Sequence, residues 1–206
     1  MLAHLLAKNS SENLYEDEIR YGIEVVLGGI LQACLLLALA FWLNLFYETA
    51  GILVASALYR RYSGGAHCTA YYRCTLTSLC TFLPLAYLTK IIFPYISLLM
   101  ISCACLFVLI VAWLKVPVDN PINPITDPLR RQSLRQKALV VAMVLCLLAM
   151  LFLFIYPLWS ASLIMGLLWQ SITLTAPGHT YMSLWDNLFL YIEKFSRKGD
   201  DYAKQS

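Results

Sequence analysis

Ala50-Gly51-Ile52-Leu53-Val54-Ala55-Ser56-Ala57-Leu58-Tyr59 is the stretch on which the topology of this chain turns. It is apolar, yet ten residues of straight helix rise only about 15 Å, half the hydrocarbon thickness of a bilayer. The run therefore predicts a re-entrant or half-buried segment rather than an ordinary span.

Five further apolar runs surround it, at about 22–46, 74–93, 96–114, 138–156 and 158–175. The chain of 206 residues is 60% hydrophobic and 13% charged, with a mean hydropathy of +0.68. Soluble domains carry about twice that share of charge. The expected fold is an all-α polytopic membrane bundle of six segments, one short, forming a single domain over 1–206 with interfacial terminal helices. Residues 1–20 read as an amphipathic lead-in rather than a cleavable signal, because they hold charges and no sufficient apolar core.

Charge placement sets the expected orientation. With the N-terminus cytoplasmic and segment 50–59 returning the chain to that side, 14 of the 15 basic residues face the cytoplasm and only Lys90 does not. Skipping the segment would put Lys115 to Lys137 outside, against the positive-inside rule. Both termini are thus expected in the cytoplasm of a cell-membrane protein.

Just beyond the short segment lies a reactive island, Arg60-Arg61-Tyr62-Ser63-Gly64-Gly65-Ala66-His67-Cys68-Thr69-Ala70-Tyr71-Tyr72-Arg73-Cys74. A cysteine nucleophile needs a base to make its thiolate and commonly a third group to orient that base. His67 and Cys74 are the candidate pair at the membrane edge. Seven residues of helix turn through about 700°, so both would share a face, but they would stand about 10.5 Å apart along the axis. Contact requires about 3 Å. The chain must therefore bend or break between Gly64 and Cys74. Cys74 at a helix N-terminus beside Arg73 would gain a lowered thiol pKa. Cys68 is the weaker candidate nucleophile. Amides near Gly64 and Gly65 are candidate oxyanion donors, and Ser63 either bonds within the site or shapes the turn. Asp119, Asn123 and Asp127 are candidate orienting residues.

The seven cysteines form no CxxC pair, and their spacing with His67 does not suit zinc, so neither a metal nor another cofactor is expected. In the polar loop from Lys115 to Lys137, four prolines forbid a regular helix until Asp127-Pro128, which read as an N-cap and first helical position. Arg130, Arg131, Arg135 and Lys137 then anchor at anionic headgroups or bind an acidic partner segment. Leu184, Trp185, Leu188, Phe189, Ile192 and Phe195 recur at helical spacing and predict an interfacial helix.

The sequence Arg60 to His67, followed by Arg73-Cys74-Thr75-Leu76, resembles the accessory gene regulator B family of membrane cysteine endopeptidases, which process quorum-sensing peptide precursors. The similarity extends to Pro117-Val118-Asp119-Asn120-Pro121 and to the six-segment layout. It implies that His67 and Cys74 are the catalytic pair. The partners it implies are a small amphipathic peptide precursor, the lipid bilayer and a second copy of the chain, with no nucleic acid. Precursors of the family have an acidic C-terminal part, which would suit Arg130, Arg131, Arg135 and Lys137. Cys68 departs from the alanine found in many members. The rival classes are a peptide transporter or exporter, whose path would use Glu24, Gln32, Asn44 and Gln170, and a non-catalytic peptide-binding scaffold.

Overall fold

The computed structural model describes residues 16–66, 68–119 and 125–203, with the side chains of 16–22, 24, 25, 71 and 196–203 left aside. The amphipathic lead-in expected over 1–20 falls largely outside them. Seven helices and no strands make up the described residues: α1 Glu16–Trp42, α2 Phe46–Ser63, α3 Tyr71–Ile92, α4 Leu98–Lys115, α5 Pro128–Ile155, α6 Pro157–Thr173 and α7 Ala176–Ala203. A single 3-10 turn, Phe93–Tyr95, follows α3.

Three helices are long and apolar enough to cross a membrane, spanning Tyr72–Tyr95, Leu98–Lys115 and Pro128–Ile155. A fourth span arises if α6 and α7, bent by 83° at their junction, count as one broken element. The polytopic all-α bundle expected from the sequence is therefore present.

The short apolar run 50–59 lies inside α2, which is 18 residues long, or about 27 Å at 1.5 Å per residue. Polar residues supply the extra turns. Glu48 and Thr49 are buried at one end and Arg60 to Ser63 extend the other. Apolar length alone underestimates such a helix, because neighbouring helices rather than lipid cover its polar ends.

Helix α2 is the centre of the bundle, and α6 is its closest companion. A methyl group added at Gly51 would meet Ser162 Cβ at 2.5 Å, and one at Gly166 would meet the Ile52 carbonyl at 2.5 Å. Small residues let the two backbones approach, which is how helices associate where lipid removes the hydrophobic drive. Gly29 of α1, by contrast, faces open space. One core cluster joins α2, α4, α5 and α6 around Tyr59, Ile101, Val108, Leu145 and Leu167; a second joins α1, α2 and α3 around Leu36, Ile52 and Ala86.

The polar ends of the helices gather at one end of the bundle. Val118, after α4, donates its amide to the Ser63 carbonyl at the end of α2 (2.9 Å), and Gly64 and Val118 form a parallel bridge. Ala66 donates to the Thr173 carbonyl at the end of α6 (3.2 Å). Arg60, Arg61, Arg73, Lys115, Arg130 and Arg131 sit in or beside this end, whereas Lys90 bonds the Asn44 carbonyl at the other (2.8 Å). The expected helix start is also present: Asp127 Oδ1 accepts from the Leu129 amide (2.9 Å) with Pro128 first in α5.

Candidate active site

The geometric demand of the reactive island is met by a break. Helix α2 ends at Ser63 and α3 begins at Tyr71, with irregular backbone between. His67 lies outside the described residues, so its role rests on the sequence motif. Cys74 sits in the first turn of α3, half-buried, its amide bonded to the Ala70 carbonyl (3.2 Å).

Two glycines make the break possible. Gly64 has φ 72 and Gly65 φ 134, a region that L side chains rarely enter. A Cβ on Gly64 would lie 2.2 Å from the Val118 carbonyl oxygen, and one on Gly65 would lie 3.0 Å from Thr173 Oγ1 and 3.2 Å from Gln170 Nε2. The Gly64 amide donates to the Arg60 carbonyl (3.1 Å) and so closes the helix end.

The broken chain is held from below by Gln170, which is fully buried. Its Nε2 donates to the Gly64 carbonyl (2.8 Å) and to Ser63 Oγ (3.2 Å), and its Oε1 accepts from Arg60 Nη1 (3.3 Å). Arg60 Nη2 also donates to the Ala66 carbonyl. Thr173 Oγ1 donates to the Gln170 carbonyl (2.7 Å), tying the last turn of α6 into the same network. Sequence reading had placed Gln170 on a possible transport path; its isolation as a polar residue in an apolar run was the available signal, and it belongs here.

Cys68 and Cys74 come together across the break. The Cys68 thiol is hydrogen-bonded to Cys74, and Thr77 Oγ1 lies 3.6 Å from Cys68 Sγ, one turn along α3 from Cys74. The bond to Cys74 and then burial push the Cys68 thiol far above the ordinary range, with the Thr77 hydroxyl opposing them. Arg60 interacts electrostatically with both sulfurs. The cation expected to face the thiol, Arg73, instead turns to α7 and pairs with Asp186 (3.3 Å) and Glu193 (3.1 Å). All seven cysteines are thiols rather than disulfides.

Among the orienting candidates, Asp119 pairs with Arg131 (2.9 Å) and keeps one buried oxygen without a partner among the described residues, while Asp127 caps α5. Asn123 is outside the described residues. The four basic residues diverge. Arg130 and Lys137 are exposed. Arg131 and Arg135 join Val116, Pro117, Pro128 and Gln132 around a cavity of about 240 Å³. Arg135 donates to the Trp113 carbonyl (2.7 Å) and stacks 4.8 Å over the Trp113 ring. The Gly64–Val118 bridge links this cavity to the broken segment, since Asp119 follows Val118.

These features define an all-helical membrane protein with a paired-thiol loop set between two helices. The accessory gene regulator B family model matches residues 1–174, and the chain belongs to that family. It is 26% identical over 134 residues to AgrB-like proteins of Listeria monocytogenes and Listeria innocua, covering 65% of this chain and 65% of each relative. It is 25% identical over 197 residues to AgrB-like protein 2 of Clostridium perfringens, covering 87% of this chain and 92% of that one. No solved structure matches.

Proposed function

We propose that the chain is a membrane-embedded cysteine endopeptidase that cleaves a small autoinducing-peptide precursor and promotes its closure into a thiolactone or lactone, in quorum sensing. Membership of the accessory gene regulator B family supports the process. The observation that carries the chemistry is the junction between Ser63 and Tyr71, where two half-buried thiols meet beside Arg60.

His67 takes the proton of Cys74, and the thiolate attacks the scissile carbonyl. The tetrahedral intermediate expels the amine of the downstream fragment, which His67 protonates, leaving a thioester on Cys74. A thiol or hydroxyl of the bound peptide, or water, then displaces Cys74. An internal nucleophile conserves the acyl group in a ring, and a site shielded from bulk water favours that route. Arg60 stabilises the thiolate, and the Cys68 thiol donates a hydrogen bond to it. Because the Gly64 amide closes α2, shaping of the loop is the role supported for Ser63, Gly64 and Gly65.

An amphipathic precursor lying in the interface presents its acidic part to Arg131 and Arg135 in the cavity beside Pro117, with Arg130 and Lys137 adding long-range attraction. The basic end of the bundle faces the cytoplasm, and with it both termini, by the positive-inside rule. A homodimer completes the assembly. The transport alternative loses support because Gln32 bonds Ser78 (2.7 Å), Gln170 serves the broken segment and Asn44 sits in a turn.

Reconstitution in liposomes with the precursor peptide tests this directly. Cleavage lost in Cys74→Ala and in His67→Ala but retained in Cys68→Ala is the expected result, and cleavage that survives Cys74→Ala rules the assignment out.

A further inference from the structure

Helix α7 reaches back to the catalytic segment through one buried carboxylate. Asp186 Oδ2 accepts from Thr69 Oγ1 (2.8 Å) and Oδ1 from the Thr69 amide (3.3 Å), two residues past His67. The same Oδ1 pairs with Arg73 Nη1 (3.3 Å), next to Cys74, and Arg73 Nη1 also donates to Thr69 Oγ1 (3.0 Å). Both Arg73 and Asp186 are buried. One carboxylate thus holds both ends of the stretch between Cys68 and Cys74, between the motif histidine and the proposed nucleophile. Its charge is felt at Cys68 as well.

The rest of α7 explains how this carboxylate is held in place. Trp169, Tyr181, Trp185 and Phe189 pack ring against ring at centroid spacings of 5.2, 6.3 and 5.7 Å across the 83° bend. Tyr181 shares a 2.8 Å hydrogen bond with Thr81 of α3. Glu193, two turns beyond Asp186, takes the remaining guanidinium edge of Arg73 (3.1 Å) and bonds none of the described residues of the 64–70 segment. Residues 175–203 lie beyond the part of the chain matched to the family.

Resting on the endopeptidase reading, we infer that Asp186 is a positioning residue for the proposed cysteine chemistry: through Thr69 and Arg73, α7 latches the segment that sets the distance between His67 and Cys74. Burying a paired carboxylate rather than an apolar side chain here is consistent with a requirement for defined geometry, since a buried ion pair is weak evidence of stability for its own sake. Displacing a reacting group by about 1 Å lowers turnover up to about 100-fold.

The test uses the full chain in liposomes with the precursor peptide, rates being normalised to Cys74 titrated by iodoacetamide. Asp186→Asn and Thr69→Val should each lower kcat at least about tenfold with KM within about twofold. Glu193→Gln, which leaves the Thr69 contacts intact, should lower it much less. A residue with only a structural role would reduce the amount of titratable protein but not kcat per titrated site. If Asp186→Asn fails to fold, Thr69→Val decides. Wild-type kcat in the folded variants overturns the latch while leaving the endopeptidase reading intact; cleavage by Cys74→Ala overturns both.

Discussion

Gln170 Nε2 donates to the carbonyl of Gly64 across 2.8 Å, joining the last turn of α6 to the residue that ends α2. The two are 106 positions apart in sequence, and the bond helps make a broken helix tolerable inside a membrane protein. A backbone carbonyl left unpaired in an apolar setting costs several kcal/mol. Gln170 lowers that cost for Gly64, whose carbonyl also accepts from Ser63 Oγ (3.2 Å), while bonding Ser63 and accepting from Arg60.

Gln170→Leu should therefore leave three groups without their partner and destabilise the bundle by about 1–3 kcal/mol. Peptide cleavage per folded molecule should fall with it, because Arg60 loses one of its fixed contacts near the thiols. Thermal unfolding in detergent checks the first effect and liposome cleavage the second. Gln170→Glu keeps an acceptor for Arg60 but loses the donor to Gly64, so its cleavage rate should lie between those of Gln170→Leu and wild type.

Gly64→Ala forces a side chain into a conformation that costs about 1–3 kcal/mol and sets a methyl 2.2 Å from the Val118 oxygen. The Gly64–Val118 bridge should open, which lowers the unfolding temperature and the cleavage rate together. Gly65→Ala meets the ends of side chains rather than backbone and should be milder in stability, although its φ of 134 still opposes it.

Cys68 should resist alkylation where Cys74 does not. Its thiol is pushed up by the bond to Cys74 and by burial, so at pH 7 to about 9 it stays protonated and poorly nucleophilic. The linkage has a definite sign. Folding favours protonated Cys68, so this contribution to stability is complete below the ordinary thiol pKa of about 8.5 and is lost as pH rises above it. Cys68→Ala should flatten the fall in unfolding temperature between about pH 8 and 10 relative to wild type. Mass mapping of iodoacetamide adducts on folded protein should find Cys74 modified ahead of Cys68.

Arg131 and Arg135 should matter for capture rather than for turnover. Arg131→Gln and Arg135→Gln should raise KM several-fold, with kcat within about twofold and weaker dependence on salt, because screening acts on a long-range attraction. Arg130→Gln should change KM less, as Arg130 lies outside the cavity lining. Initial cleavage rates over a range of salt concentrations separate the two cases.

Much of this fold was legible in order and class, because apolar runs and proline breaks are local properties. Asp127-Pro128 begins a helix where its chemistry says it should. The length of α2 was not legible: Glu48 and Thr49 are polar yet buried, and Arg60 bonds Gln170 from 110 positions away, so no window of hydropathy contains the surroundings that accept them. The site divided in the same way. The need for a break followed from helix geometry applied to His67 and Cys74, and the chain breaks between Ser63 and Tyr71. Gln170, Thr173 and Asp186 were missed, because each contacts the broken segment from about 100 residues or more away. Arg73 was expected to face Cys74 from adjacency alone, but adjacent residues on a helix point about 100° apart, and α7 supplies two carboxylates on the other side.

The central claim is that Cys74 forms a covalent thioester with the precursor. Rapid acid quenching of liposome reactions, followed by mass mapping of the enzyme, measures it. The account predicts an acyl adduct on the peptide containing Cys74, labile to hydroxylamine, present in Cys68→Ala and absent in Cys74→Ala and His67→Ala. An adduct carried by Cys68, or cleavage at the wild-type rate in Cys74→Ala, would contradict it.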